Sequence, residues 1–174
     1  MKTEAIRDFF SRLDHLPKGD RTALKREAGT MLFQADGRAI RAFYQCLPVG
    51  TASWQEERFF AAACLHCLWG DETGNRLPLE QIFYRLGRDA QVSDSTAHRL
   101  EGILDLSWEE DGFLLGKLTR LIKLVKSKNY AVDCAALLND LLYWNGDKQT
   151  VQLKWARALY CEPEEDKNEK QEGE

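Results

Sequence analysis

Lys117, Arg120, Lys123 and Lys126 recur at three-residue intervals in a stretch, Gly112 to Lys128, that contains no acidic residue. On a helix they fall outside the apolar stripe of Leu114, Leu115, Leu118, Leu121, Ile122 and Val125 and step around the remaining surface. A solvated helix face normally mixes both signs, because opposite charges four residues apart attract. A face of one sign repels itself and gains most from an external polyanion, whose counterions it releases. Contact with phosphate is the chemistry this pattern suits; an ordinary lysine-rich surface is the alternative. Two smaller groups share the same residue types. Lys25 and Arg26, with Arg21, lie outside the apolar stripe of one helix, and Lys154 and Arg157 project from another.

Other chemistry finds little support. Cys64, His66 and Cys67 stand close together, but a structural zinc site wants four ligands, typically with a second pair at fixed spacing. His15 and His98 have no such company. Five cysteines (Cys46, Cys64, Cys67, Cys134, Cys161) are an odd number on helix-like segments and read as reduced, mostly buried thiols. There is no glycine-rich phosphate loop, nucleophile elbow or histidine pair on one helix face. Glu56-Glu57 and Glu109-Glu110-Asp111 stand at expected helix starts, where carboxylates favour the dipole. A protein without catalytic site, metal or cofactor is expected.

The kind of polyanion can be narrowed. A helix-turn-helix needs base-reading side chains at the start of its recognition helix. The helix after Asp147 offers Gln149 and Gln152, but its aromatic seam suggests burial. Single-stranded RNA is often bound on aromatic platforms of sheets, and no sheet is expected. Tracking of the backbone by Lys and Arg, which reads no sequence, remains.

Helices must position these side chains. The first is expected over Thr3–Leu16, with Ile6, Phe9, Phe10 and Leu13 on one face. Asp20 is a candidate cap for a second, Arg21 to about Phe33. Asp36-Gly37 opens a third through Leu47, with Ile40, Phe43, Tyr44 and Leu47 inward and Arg38 and Arg41 outward. Ser53-Trp54-Gln55-Glu56 reads as a capping box before the most apolar helix in the chain, which ends at Trp69. Pro78 begins a helix to about Leu86, and Ser93 caps another to Leu106. Ser107-Trp108-Glu109-Glu110 reads as a second capping box, starting the cationic helix. Asp133 caps a helix bearing Leu137, Leu138, Leu141, Leu142 and Trp144. Asn145-Gly146 supplies a turn, and Asp147 caps a last helix with Val151, Trp155, Ala158 and Leu159 on one side.

These readings predict an all-α protein of two small helical bundles in tandem, residues 1–87 and 93–161. Residues 162–174 hold seven acids against Lys167 and Lys170 and no aromatic or β-branched residue, and are expected to be a disordered tail. The net charge of −4 comes from that tail, since the remainder carries 22 basic and 21 acidic side chains. Where the charges sit decides whether the body attracts phosphate. No apolar run reaches membrane-spanning length, and MKTEAIRDFF lacks a cationic region followed by an apolar core, so a cytoplasmic protein is expected.

The pattern LLNDLLYW, a glycine turn, and VQLKWARALY resembles the C-terminal signature of the CasB family, the small subunit of the type I-E CRISPR Cascade complex. Leu118-Thr119-Arg120-Leu121-Ile122-Lys123-Leu124-Val125 is similar to the leucine-arginine run ahead of that signature. The likeness covers Arg99 to Tyr160 and extends loosely into the N-terminal half. It implies a noncatalytic subunit of an RNA-guided surveillance complex, present in two copies beside the guide RNA and target strand. Such a subunit helps hold the opened DNA, including the displaced strand. Residue by residue, Arg120 and Lys123 match the run, Lys154 and Arg157 the basic positions around the Trp-Ala pair, and Lys25-Arg26 a basic pair in the second helix. Thr119 stands where the run often has a second arginine, and Ser107-Trp108-Glu109-Glu110 replaces a more basic approach. The acidic tail is not part of the pattern. A helical adaptor that binds only protein is the competing reading.

Overall fold

Apolar residues at helical spacing form nine α-helices among the described residues, 3–70, 75–89, 93–108 and 111–161, of a computed structural model. They are α1 (Thr3–Asp14), α2 (Lys18–Arg26), α3 (Gly37–Cys46), α4 (Ser53–His66), α5 (Leu79–Leu86), α6 (Ser93–Leu104), α7 (Phe113–Ser127), α8 (Cys134–Leu142) and α9 (Thr150–Tyr160). The fold is all-α. Short 3₁₀ turns cover Leu32–Gln34 and Cys67–Trp69. Two-residue strands β1 (Arg76–Leu77) and β2 (Ala131–Val132) pair in parallel. The expected acidic tail, 162–174, lies outside the described residues.

α4 is the core helix, buried from Arg58 through His66, as its all-round apolar sequence predicts. Phe9 and Phe43 flank it, meeting Phe59 and Phe60 edge-on with ring centroids 5.0 and 5.3 Å apart. On the opposite side of the chain, Phe83 of α5 and Trp144 close on Trp155 of α9 at 5.5 and 5.1 Å. The expected boundary at 87–93 falls between α5 and α6. Across it α4 packs on α8 and α5 on α9, β1 pairs with β2, and Arg58 Nε donates to Leu141 O at 3.0 Å. The buried apolar residues on both sides form one continuous cluster.

Helix ends depart from expectation where a tertiary bond claims the capping residue. Asp36 and Asp133 do cap α3 and α8, each accepting from two backbone N–H groups. Asp20 does not cap: α2 begins at Lys18, and Asp20 is buried inside it against Arg38 and Arg41, at 2.7 and 3.1 Å. α2 ends at Arg26 rather than near Phe33. Ser53 is already helical, and Gln55 Oε1 accepts from the N–H of Ala52 at 3.2 Å. Glu56 is engaged by the Tyr44 hydroxyl at 2.7 Å, which keeps Tyr44 on the surface. α3 therefore buries Ala39, Ala42, Phe43 and Cys46, a face turned from the expected one.

The second capping box also fails. Ser107 and Trp108 are not helical, and α7 starts at Phe113 behind Gly112 at φ +70°. The reason is Asn145. Its side chain accepts from Trp108 N–H at 2.7 Å and donates to Trp108 O at 3.2 Å, holding that backbone out of a helix. Glu109 and Glu110 lie outside the described residues. α9 likewise starts at Thr150, because Gln149 takes the left-handed bend at φ +47° and Asp147 is left short of the helix.

Candidate nucleic-acid interface

Burial of one side sets the direction of α7. Leu114, Leu115, Leu118, Leu121, Ile122 and Val125 are buried, and Thr119 joins them. Gly29, at φ +101°, makes room: a Cβ there would stand 3.4 Å from the Thr119 side chain. The position where the CasB run often carries a second arginine thus faces the core. Arg120 and Lys123 are left exposed, with Lys117 and Lys126 half-buried at the edges of the stripe. Neither Arg120 nor Lys123 has an ion pair or side-chain hydrogen bond among the described residues. Lys126 is different. Its Nζ donates to Leu68 O at 2.7 Å and lies 5.5 Å from the Trp69 ring centroid, tying α7 to the end of the core helix.

Lys117 folds over the exposed Phe113, Nζ 4.8 Å from the ring centroid. With Arg120 it lines a groove of about 460 Å³ whose other wall is His98, Arg99, Glu101 and Gly102 of α6. The Lys117 side chain reaches across to Gly102, where a Cβ would stand 3.5 Å from Lys117 Nζ. Arg99 is an additional cation that sequence reading missed. Glu101 beside it mixes the signs on α6, although the buried Thr96, Leu100 and Ile103 do turn Arg99 outward. The groove walls offer two guanidinium groups and an ammonium, donors suited to phosphate oxygens.

The other expected contacts divide. Lys25 and Arg26 are exposed in the last turn of α2, where cations also suit the helix dipole. They are the last cations before Gly29 and Met31, which pack on α7 at Thr119 and Gly112. Arg38 and Arg41, though exposed, are bonded to Asp20, and the Arg38 bond chiefly holds that carboxyl below its ordinary pKa. Lys154 is also committed: Nζ lies 2.6 and 2.8 Å from the two oxygens of buried Asp140 and 3.6 Å from Glu80 Oε2. Burial pushes the Asp140 pKa up, while the bonds from Lys154 and Trp155 oppose it. Arg157 is exposed on α9, in a shallow groove beside Leu153 and Tyr160.

Cys64 and Cys67 are buried, and desolvation pushes the Cys67 thiol up to about 12 and Cys64 upward as well, away from thiolate. His66 faces Asp14 and Arg76 instead of the cysteines. Among the described residues no three His, Cys, Asp or Glu side chains converge on a metal position. None of the helices there is long and apolar enough to cross a membrane.

The fold and this surface define an all-helical protein presenting a helix face of one sign. Residues 20–160, α2 through α9, match the family described as CRISPR-associated protein Cse2, and the chain belongs to that family. The Cse2 protein of Thermus thermophilus is 27% identical over 150 residues, covering 79% of this chain and 85% of its own. A crystal structure of a Cse2-family protein from that organism superposes with a TM-score of 0.71 at 26% identity, covering 91% of this chain and 97% of its own. M. ruber CasB and a chain of a CRISPR RNA-guided surveillance complex share the fold, each with a TM-score of 0.71, 21% identity, and coverage of 90% and 92%. The expected CasB membership is therefore correct.

Proposed function

We propose that this protein is a noncatalytic small subunit of a cytoplasmic CRISPR RNA-guided surveillance complex, and that it holds nucleic acid by the backbone. The observation that carries the reading is the exposed pair Arg120 and Lys123, without an acid partner among the described residues, on α7 of a Cse2-family chain. The shared fold with a chain of such a complex supports the setting. Arg120 and Lys123 contact phosphates directly, Lys117 and Arg99 from the groove wall, and Lys25, Arg26 and Arg157 extend the contact. Lys154 serves mainly to neutralise Asp140.

The partners are the other subunits, the guide RNA, the target and displaced DNA strands, and a second copy of the chain. RNA–DNA pairing replaces DNA pairing at nearly balanced free energy, so sequence-blind backbone contacts can tip the exchange. In a reconstituted complex, Arg120→Ala with Lys123→Ala is expected to leave guide RNA bound and to shorten the lifetime of the opened target. An opened target as long-lived as that of the unmodified complex contradicts the reading. An adaptor role draws on one observation: Leu153 and Tyr160, 62% and 51% exposed, flank the groove that holds Arg157. Partner subunits suit that face.

A further inference from the structure

A second groove, of about 700 Å³, lies where the Leu32–Gln34 turn, the start of α4 and the Trp108 segment meet. Two large rings open onto it, Phe33 at 71% exposure and Trp54 at 58%. We propose that this groove takes an unstacked nucleobase of a single strand, a reading that rests on the backbone contact assigned to α7.

The indole of Trp54 is backed by a cation. The Arg58 guanidinium lies 5.4 Å from the Trp54 ring centroid and 5.2 Å from that of Trp108. Bonds from Nε to Leu141 O at 3.0 Å and from Nη1 to Trp54 O at 2.7 Å hold it there. Trp108, Arg58 and Trp54 thus form a series that a base on the exposed face of Trp54 continues. Every base has a π face, so such stacking is tolerant of sequence. Glu57 lines the same groove and accepts from Leu32 N–H. A carboxylate there can accept from a base N–H, the ring N3–H of thymine or an exocyclic amine of another base, but repels a phosphate, so the groove admits the base rather than the backbone. An aliphatic side chain would gain nothing from the carboxylate.

The groove also adjoins the cationic helix. Met31 lines it and packs on Gly112, where a Cβ would come within 2.9 Å of Met31 Cγ. Phosphates along Arg120 and Lys117 lead toward the start of α7, and the bases of the same strand reach Phe33 and Trp54.

The test compares binding of full-length protein to oligothymidylate and to an abasic strand of equal length. The unmodified protein is expected to prefer the base-bearing strand by about tenfold for each base stacked. Phe33→Ala with Trp54→Ala should lose the preference yet bind the abasic strand with an unchanged salt slope, while Trp54→Phe keeps the preference. Arg120→Ala with Lys123→Ala should weaken both strands and leave the preference intact. Should the double variant fail to fold, Phe33→Ala alone, at the more exposed ring, should reduce the preference several-fold with the salt slope unchanged, and an undiminished preference overturns the base site. Equal binding of both strands by the unmodified protein, or a preference that survives loss of the rings, overturns the base site and leaves the backbone reading standing. Binding to neither strand overturns both. A ring variant that keeps the base preference but no longer joins its protein partners assigns the groove to protein and overturns the proposal.

Discussion

Lys154 donates to both carboxylate oxygens of Asp140, at 2.6 and 2.8 Å, across the turn that joins α8 to α9. The indole N–H of buried Trp155 reaches the same carboxylate at 2.8 Å. Asp140 belongs to LLNDLLYW and Lys154-Trp155 to VQLKWARALY, so the two halves of the C-terminal signature are the two halves of one buried tie. Asp140→Ala leaves the indole N–H and the ammonium without their acceptor. The expected loss is about 2 kcal/mol of stability, the scale of a buried donor left unsatisfied. Lys154→Ala should cost less, because that side chain is partly solvated and its pairing screened. Denaturant midpoints of the two variants check the order; a larger loss for Lys154→Ala contradicts it.

The His66 imidazole supports a prediction about pH. Its Nε2 is 2.7 Å from Asp14 Oδ1 and its Nδ1 is 2.6 Å from Arg76 Nη1. Arginine can only donate, so Nδ1 accepts and the neutral ring donates Nε2–H to Asp14. Burial chiefly holds the pKa below its ordinary 6.5, with Asp14 opposing and Arg76 assisting the shift. The unfolded chain therefore binds more protons in the window just below 6.5, and stability there rises with pH. The contribution is complete above the unfolded value and is lost as pH falls through the window toward the lower folded value. Chemical denaturation between about pH 7 and about pH 5 should show the unmodified protein losing more stability than His66→Gln. Equal losses contradict the assignment.

The helices were legible because burial demands a 3.6-residue period: α1 and α4 bury the residues that period selects, and α8 buries Leu137, Leu138 and Leu141 while Leu142 stays half-buried. Their ends were less so, because a cap competes with tertiary bonds that sequence spacing does not reveal. Asp20 could cap a helix, yet Arg38 and Arg41 claim it; Ser107 could, yet Asn145 holds the next residue out of a helix. The candidate site divides in the same way. The exposure of Arg120 and Lys123 was readable from α7 alone, since burial of one stripe and the absence of acids are local facts. The commitment of Lys154 was not, because Asp140 sits on a different helix. Arg99 and the Phe33–Trp54 groove were missed because each needs elements distant in sequence to meet.

The acidic segment 162–174 carries seven acids and two lysines, directly after α9. Like charge opposes phosphate, so truncation after Cys161 is expected to tighten binding to single strands several-fold at low salt and hardly at all at high salt, where screening is complete. Helicity measured by circular dichroism should be retained. Weaker binding by the truncated chain contradicts this role for the segment.

In the proposed role, α7 meets nucleic-acid backbone through Arg120 and Lys123. The direct measurement is the salt dependence of single-strand binding by the unmodified protein and by Arg120→Ala with Lys123→Ala, with helicity monitored in both. Exposed positions such as these usually change stability by only about ±0.5 kcal/mol, so the fold should be retained. The slope of log K against log[salt] should shrink by about 0.7 for each phosphate no longer neutralised, alike for every sequence. An unchanged slope with helicity preserved would rule out this contact and favour a subunit that binds protein alone.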